Sequence, residues 1–223
     1  MKEKYLKYRK EVHAAALWLS EHGYFGSLRG SGGNVSVRID SENSMAITPS
    51  GVRYTDMTDG DIFVVGFDLE LLEGRQGLKA SMESEMHSAI YRKRPEVKAV
   101  VHTHQTYGSV FSVINMPIPA LFDEVALSLG TLIEVAPYAF SGTSELARNV
   151  EAVLSGGANA CIIQNHGIVA LGASLDQAVL NAELLEKTAK IYHLALSSGK
   201  RLTTLPAEAI DIIEMIRKPA DAQ

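Results

Sequence analysis

Two histidines, His102 and His104, close an apolar run, Ala99-Val100-Val101. Successive side chains of a strand point to opposite faces, so this run predicts His102 and His104 on one face and Thr103 on the other. Paired imidazoles at a strand end form half a site for a transition metal. His166, in Gln164-Asn165-His166-Gly167, follows a second apolar run, Ala160 to Ile163, and offers a third nitrogen. Glu83, 19 residues before the pair, offers a carboxylate. Three neutral nitrogens suit a borderline-soft ion such as Zn²⁺ and leave one coordination position for a substrate. The plainer alternative gives each histidine only a structural hydrogen bond. The His-X-His spacing at a strand end, with a third histidine in a tight turn, favours the metal. His87 lies four residues after Glu83 on the same helical face. It is a further ligand, a local hydrogen-bond partner, or packing beneath a sheet. His13, His22 and His193 stand in helical surroundings without neighbouring ligand types and read as structural or surface residues.

A second set of residues suits an anion. Arg29-Gly30-Ser31-Gly32-Gly33-Asn34 leads into a strand, and closely spaced glycines let backbone N–H groups approach a negative charge. Ser31, Asn34 and Ser36 add side-chain donors. Thr48, Ser50 and Gly51 form a second loop of this kind, and Ser81 stands two residues before Glu83. The first loop precedes a strand rather than opening a helix, so it is not a dinucleotide fingerprint. No Gly-Lys-Ser/Thr is present for a nucleotide phosphate loop.

The elements that must position these groups follow from periodicity and punctuation. A first helix is predicted from Lys2 to His22 on the stripe Leu6, Val12, Ala16 and Leu19, with Gly23 just past its end. Val35, Val37 and Ile39 alternate as a strand; Met45 and Ile47 form its hairpin partner, and Ile62 to Val65 a third strand. Glu83 to Arg94 reads as a helix ended by Pro95, with the basic Arg92-Lys93-Arg94 opposing its dipole. A strand at Val97 to Val101, short helices at Gly108 to Ile114 and Asp123 to Leu129, and a strand at Leu132 to Val135 come next. Thr143 caps a helix to Leu154. Ala160 to Ile163 and Ile168 to Leu171 form a hairpin around Asn165-His166-Gly167. Ser174-Leu175-Asp176-Gln177 is a capping-box pattern opening a long helix striped by Ala178, Ala182, Leu185, Ala189 and Leu196. Pro206 starts a last helix, and residues after Lys218 read as a frayed tail.

No Gly/Ser-rich or Pro-rich linker divides the 223 residues, so the expectation is a single domain, 1–223. It is an α/β chain with helices on both faces of a sheet that contains hairpins. A net charge of −5 without a clustered basic face argues against nucleic acid. No apolar run reaches the roughly 18 residues of a membrane span. The charged stretch Met1 to Lys10 lacks the apolar core of a signal peptide. The one cysteine, Cys161, excludes an intramolecular disulfide framework and reads as core. A reducing cytoplasm is the expected compartment.

Taken in order, Gly-Asn-Val-Ser (33–36), Thr-Pro-Ser-Gly (48–51), Ser81-Met82-Glu83, His102-Thr103-His104, Pro137-Tyr138-Ala139 and Asn165-His166-Gly167 resemble the motifs of the class II aldolase/adducin family. The resemblance runs from about residue 5 to 200. It implies a three-layer α/β/α fold with a mostly antiparallel central sheet, and a C4 homotetramer with sites between subunits. It places a metal on His102, His104 and His166, with Zn²⁺ expected and Mn²⁺, Co²⁺ or Fe²⁺ as alternatives. Glu83 becomes a mobile carboxylate, ligand in some resting sites and general base once substrate displaces it. Gly33, Asn34, Ser50, Gly51 and Ser81 become the pocket for a substrate phosphate. The implied activity is cleavage of a small ketose phosphate, of the fuculose 1-phosphate type, to dihydroxyacetone phosphate and an aldehyde through a metal-stabilised enediolate. Decarboxylation or dehydration of a sugar acid or ketose phosphate, or 4-epimerisation of a sugar phosphate, are alternatives on the same site. A non-catalytic interaction module of the adducin kind is a further one, although such modules can dispense with the ligands that this chain keeps.

Two departures stand out. Aldolases of the family usually carry Ser-Ser-Glu, whereas this chain has Met82 between Ser81 and Glu83, replacing a phosphate-binding hydroxyl by a thioether. The segment matching Ile118 to Asp123 should carry an interface tyrosine acting as acid; here Asp123 falls there beside Glu124, and these two acids are the candidates for that role. No tyrosine follows Tyr192, so a C-terminal tyrosine lid is also missing.

Overall fold

The computed structural model describes residues 2–27 and 29–217. α1 (Leu6–Glu21) leads to β1 (Asn34–Ile39), β2 (Ser44–Ile47), β3 (Phe63–Gly66) and β4 (Leu71–Glu73). Next come α2 (Ser84–Lys93), β5 (Ala99–Thr103), α3 (Thr106–Ile114), β6 (Ile118–Pro119) and α4 (Asp123–Leu129). β7 (Leu132–Ile133), β8 (Val135–Ala136), α5 (Ser144–Leu154), β9 (Ala160–Ile163), β10 (Gly167–Gly172), α6 (Leu175–Ser197) and α7 (Ala207–Arg217) complete the order. Eight strands form one sheet, β4-β3-β2-β1-β5-β10-β9-β8, and β6 pairs with β7 apart from it. Within the large sheet only β8 and β9 are parallel.

The period-2 alternation of the strands divides the core. Val35, Val37, Val101 and Ile168 point to one face and pack with Val12 and Ala16 of α1, Phe111 of α3 and Leu185 of α6. Val100, Val169 and Cys161 point to the other and pack with Met86 and Ile90 of α2 and Leu146 and Val150 of α5. The three-layer α/β/α arrangement with a mostly antiparallel sheet is therefore present. Because helices cover both faces, the central strands β5 and β10 are buried throughout. No helix among the described residues is long and apolar enough to cross a membrane.

Several local expectations are refined. Leu6 is exposed; the buried stripe of α1 runs through Tyr5, Arg9, Val12, Ala16 and Leu19. Arg9 enters it because its guanidinium pairs with Glu73 at 3.0 Å, and Tyr5 because its hydroxyl donates to Glu42 at 2.6 Å. The strand expected at Leu132 to Val135 is two strands, because the chain changes partner at Glu134: Leu132 and Ile133 pair with β6, Val135 and Ala136 with β9. Thr143 caps α5 and Ser174 caps α6 as expected, each side chain accepting from the N–H three residues on. Gln177 leaves the capping box half made, since its side chain donates to Asn181 instead. The tail expected after Lys218 lies outside the described residues.

Candidate active site

β5 lies between β1 and β10 and runs antiparallel to both, so the end of β5 meets the beginnings of its two neighbours. His102 stands opposite Asn34 of β1 on one side and opposite Val169 of β10 on the other. His166 occupies the turn just before β10, where Asn165 takes a left-handed φ of 54°. Asparagine tolerates that conformation better than most side chains. Ser112 of α3 pins the turn: it accepts from the His166 N–H at 2.8 Å and donates to the Ile163 carbonyl at 2.7 Å. His102 and His166, 64 positions apart in sequence, thus share one end of the sheet.

The three imidazoles converge on their Nε2 atoms. Nε2 of His102 is 3.1 Å from that of His104 and 3.3 Å from that of His166. Ligand nitrogens at about 2.0–2.1 Å from a tetrahedral zinc are about 3.3 Å apart, so these residues fit a divalent ion. They are also the one group of three or more metal-ligating side chains among the described residues. His102 donates from Nδ1 to the Ile168 carbonyl at 2.7 Å, which turns its Nε2 lone pair toward the other two rings. Burial first, and the neighbouring His102 second, hold the His104 ring down to about 3 and the His166 ring down to about 4. Both are neutral at pH 7, the form that binds metal.

Glycine makes this crowding possible. A Cβ at Gly167 would come within 2.6 Å of the His104 ring. Gly33 has φ +71°, and a Cβ there would lie 2.6 Å from the His102 carbonyl oxygen. The glycine-rich loop therefore packs against the histidines.

Glu83 immediately precedes α2 beside the cluster, 5% exposed, with Oε2 3.2 Å from His102 Nε2 and Oε1 3.4 Å from His166 Nε2. Asn34 donates to its Oε2 and Ser141 to its Oε1, both at 2.7 Å. Burial pushes this carboxyl up, but His102, His166 and the two donors outweigh that and bring it down to about 2. It is ionised at neutral pH.

A cavity of about 150 Å³ opens over these groups, lined by Ser31, Gly33, Asn34, Ser50, Ser81 and Met82 together with Glu83, His104, Ser141 and His166. Two loops meet there because the Ser50 N–H donates to the Lys79 carbonyl at 2.8 Å and the Ser81 N–H to the Thr48 carbonyl at 3.1 Å. Of the phosphate-site candidates, Gly33, Asn34, Ser50 and Ser81 line the cavity, and Gly51 sits one residue outside its lining. Met82 lines it with 62% of its surface exposed. A larger cleft, about 640 Å³, lies between α1 and α6 around Trp18, Val179 and Leu180, and it holds none of the histidines.

His87 is not brought to the cluster. Its Nε2 meets Asn34 Oδ1 at 2.5 Å and its Nδ1 meets Ser36 Oγ at 2.7 Å, so both nitrogens are engaged. Asp123 and Glu124 begin α4 and are exposed; Glu124 pairs with Lys187 at 3.3 Å, and neither acid lines the cavity of its own chain. Ser141 carries no sequence signal. Its contact with Glu83 spans 58 residues, and a serine beside a glycine reads as an ordinary turn.

The profile described as Class II Aldolase and Adducin N-terminal domain matches residues 10–193. The chain belongs to the class II aldolase/adducin family. An L-fuculose phosphate aldolase of Escherichia coli O6:H1 is 35% identical over 185 residues, covering 83% of each chain. A 5-methylthioribulose-1-phosphate/5-deoxyribulose-1-phosphate aldolase of Rhodospirillum rubrum is 34% identical over 194 residues, covering 86% of this chain and 85% of its own. The solved structure of an L-fuculose 1-phosphate aldolase superposes with a TM-score of 0.86 at 33% identity, covering 94% of this chain and 95% of that one. The class II aldolase fold, like the family, is thereby shared across nearly the whole chain.

Proposed function

We propose that this protein is a metal-dependent carbon–carbon lyase that cleaves a small ketose phosphate, of the fuculose 1-phosphate type, into dihydroxyacetone phosphate and an aldehyde. The observation that carries the reading is the convergence of three Nε2 atoms with the Glu83 carboxylate 3.2–3.4 Å away, at the floor of a cavity lined by hydroxyls and glycine backbone. Similarity to sugar-phosphate aldolases over more than four-fifths of the chain supports it.

In this reading His102, His104 and His166 hold the ion, Zn²⁺ in the first instance and Mn²⁺, Co²⁺ or Fe²⁺ as alternatives. When bound, the ion supplies Lewis acidity to the carbonyl and adjacent hydroxyl oxygens of the ketose. Gly33, Asn34, Ser50, Gly51 and Ser81 hold the phosphate through N–H and O–H donors and orient the sugar over Glu83. Glu83, ionised at neutral pH, accepts the proton of the hydroxyl whose carbon leaves as the aldehyde. In the aldol direction it accepts the C–H proton of the three-carbon phosphate. Asp123 or Glu124 supplies the acid from a neighbouring subunit of a C4 homotetramer. Both acids are exposed and neither lines the cavity of its own chain, which accords with that role, as does the exposure of Met82 in that lining. The chain works as a single domain, 1–223, in the cytoplasm.

A second reading has one observation in its favour. Met82 lines the cavity with a thioether where a hydroxyl would serve a phosphate, which suits a decarboxylase or another lyase acting on an unphosphorylated ligand. A panel of phosphorylated ketoses, free ketoses and 3-keto acids, with products identified by NMR, separates the two. Dihydroxyacetone phosphate plus an aldehyde is the expected result. Carbon dioxide from a keto acid, or an epimer formed without release of fragments, would replace the aldolase reading.

A further inference from the structure

A stripe of polar side chains runs through the otherwise apolar layer between α2 and the sheet. On the helix it consists of Glu83, His87 and Tyr91, spaced i, i+4, i+8; on β1 it consists of Asn34 and Ser36, spaced i, i+2. One helical step of four residues advances about 6 Å and one strand step of two about 6.7 Å, so the two stripes stay in register. The result is a continuous chain of contacts. Tyr91 OH lies 2.8 Å from Ser36 Oγ, which lies 2.7 Å from His87 Nδ1. His87 Nε2 lies 2.5 Å from Asn34 Oδ1, and Asn34 Nδ2 lies 2.7 Å from Glu83 Oε2. His87 and Ser36 have no exposed surface.

Chemistry fixes the direction of this chain from its charged end. An ionised carboxylate only accepts, so Asn34 must present its NH₂ to Glu83 and its carbonyl oxygen to His87. That oxygen only accepts, so His87 must donate from Nε2. Both hydrogen-bond partners of the buried ring are uncharged, so the ring carries a single proton and Nδ1 accepts from the Ser36 hydroxyl. The Ser36 oxygen then accepts from Tyr91. Every donor points toward Glu83. Were His87 unable to donate, the Asn34 amide would be free to turn over and set its carbonyl against the carboxylate.

We propose that His87 is a positioning residue, held as the Nε2–H tautomer, and that the Ser36–His87–Asn34 relay sets the orientation in which Glu83 works as base. The inference rests on the aldolase reading for its consequence in turnover, but not for the tautomer.

Two amide variants test it. His87→Gln extends an N–H₂ to the place of Nε2 and keeps the bond to Asn34. His87→Asn reaches only the place of Nδ1 and loses it. Both remove the ring from the same buried site, so a merely structural role would be damaged by both. The expected result is that Gln retains turnover within about threefold, while Asn loses about 10- to 100-fold in kcat with KM unchanged, the scale of lost orienting contacts. Equal kcat in the two variants, whether normal or reduced, overturns the proposal, as does a loss confined to KM. Long-range ¹H–¹⁵N spectra of the isotopically labelled wild-type protein give a readout independent of activity, with the His87 resonances assigned by correlation to its own backbone amide in that protein. They should show Nε2 protonated and Nδ1 bare. An Nδ1–H tautomer overturns the proposal even if neither variant folds, and a correct tautomer in a protein that cleaves no ketose phosphate sinks the aldolase reading alone.

Discussion

Replacing Glu83 by Gln separates chemistry from folding, and the structure sets both magnitudes. The carboxylate accepts one hydrogen bond on each oxygen, from Asn34 and from Ser141. In Glu83→Gln the amide oxygen keeps the Asn34 bond, and the Ser141 hydroxyl rotates to accept from the new NH₂. Both contacts survive but lose their charge assistance, from roughly 1.5–3 to roughly 0.5–1.5 kcal/mol each. Relief from burying a charge offsets part of that loss. A net change of no more than about 2 kcal/mol in stability follows, or about 4–8 °C in Tm for a domain of this size. Removing a general base lowers kcat by about 10²- to 10⁴-fold, which is about 2.7–5.4 kcal/mol of transition-state stabilisation. The loss of turnover should therefore exceed anything stability accounts for, with metal content kept near one ion per chain by the three histidines. The assay is the rate of dihydroxyacetone phosphate release at saturating ketose phosphate, beside a thermal melt and metal analysis of the same preparation. Turnover within tenfold of wild type in a fully metallated variant would refute Glu83 as the base and turn attention to Asp123 and Glu124.

The His102→Ala/His104→Ala double variant should lose bound divalent metal by elemental analysis, and an unchanged content would sink the ligand assignment. Met82→Ser should lower KM for a phosphorylated ketose and leave KM for a free sugar unchanged, since a bond to a charged group contributes roughly 1.5–3 kcal/mol; impaired turnover of a preferred unphosphorylated acid would instead support the second reading. Mixing inactive Glu83→Gln protein with inactive Asp123→Asn/Glu124→Gln protein should restore some activity after subunit exchange, because some sites would combine intact parts from two chains; an active monomer in sedimentation rules that out. Burial lowers His87 from an ordinary 6.5 to about 3. The unfolded chain then takes up a proton that the folded one refuses, so the stability tied to this group is whole above pH 6.5 and is lost as pH falls toward about 3, at about 1.4 kcal/mol per pH unit. Denaturant titrations should show a correspondingly shallower acid slope for His87→Gln, and equal slopes would contradict the buried neutral ring.

The residues that could be read from sequence are those whose constraint is local. His102 and His104 declare a shared face through strand alternation, and Thr143 and Ser174 declare helix starts through capping chemistry. The hairpin around Asn165 was legible because a left-handed turn needs such a residue between two apolar runs. What stayed hidden depends on distant partners. Ser141 owes its role to Glu83, and Arg9 joins a core stripe only because Glu73 neutralises it. The direction of the His87 bonds required knowing that Asn34 stands against Glu83, a relation between a strand and a helix 49 residues apart. The change of partner at Glu134 likewise has no local mark.

With His102, His104 and His166 as the proposed ligands, their division between the end of β5 and the turn before β10 bears on how the protein matures. Neither segment holds three nitrogens by itself, and the two come together only when the middle of the sheet closes across more than sixty residues of intervening chain. The ion therefore has no preformed seat on a half-assembled chain and binds the finished fold in preference to its precursors. At a free concentration one hundred times its dissociation constant, such selective binding adds about 2.7 kcal/mol to the native state. On the proposed ligand assignment, metal supply would bear on assembly: chains with the ion bound would resist separation of the central strands more than chains without it.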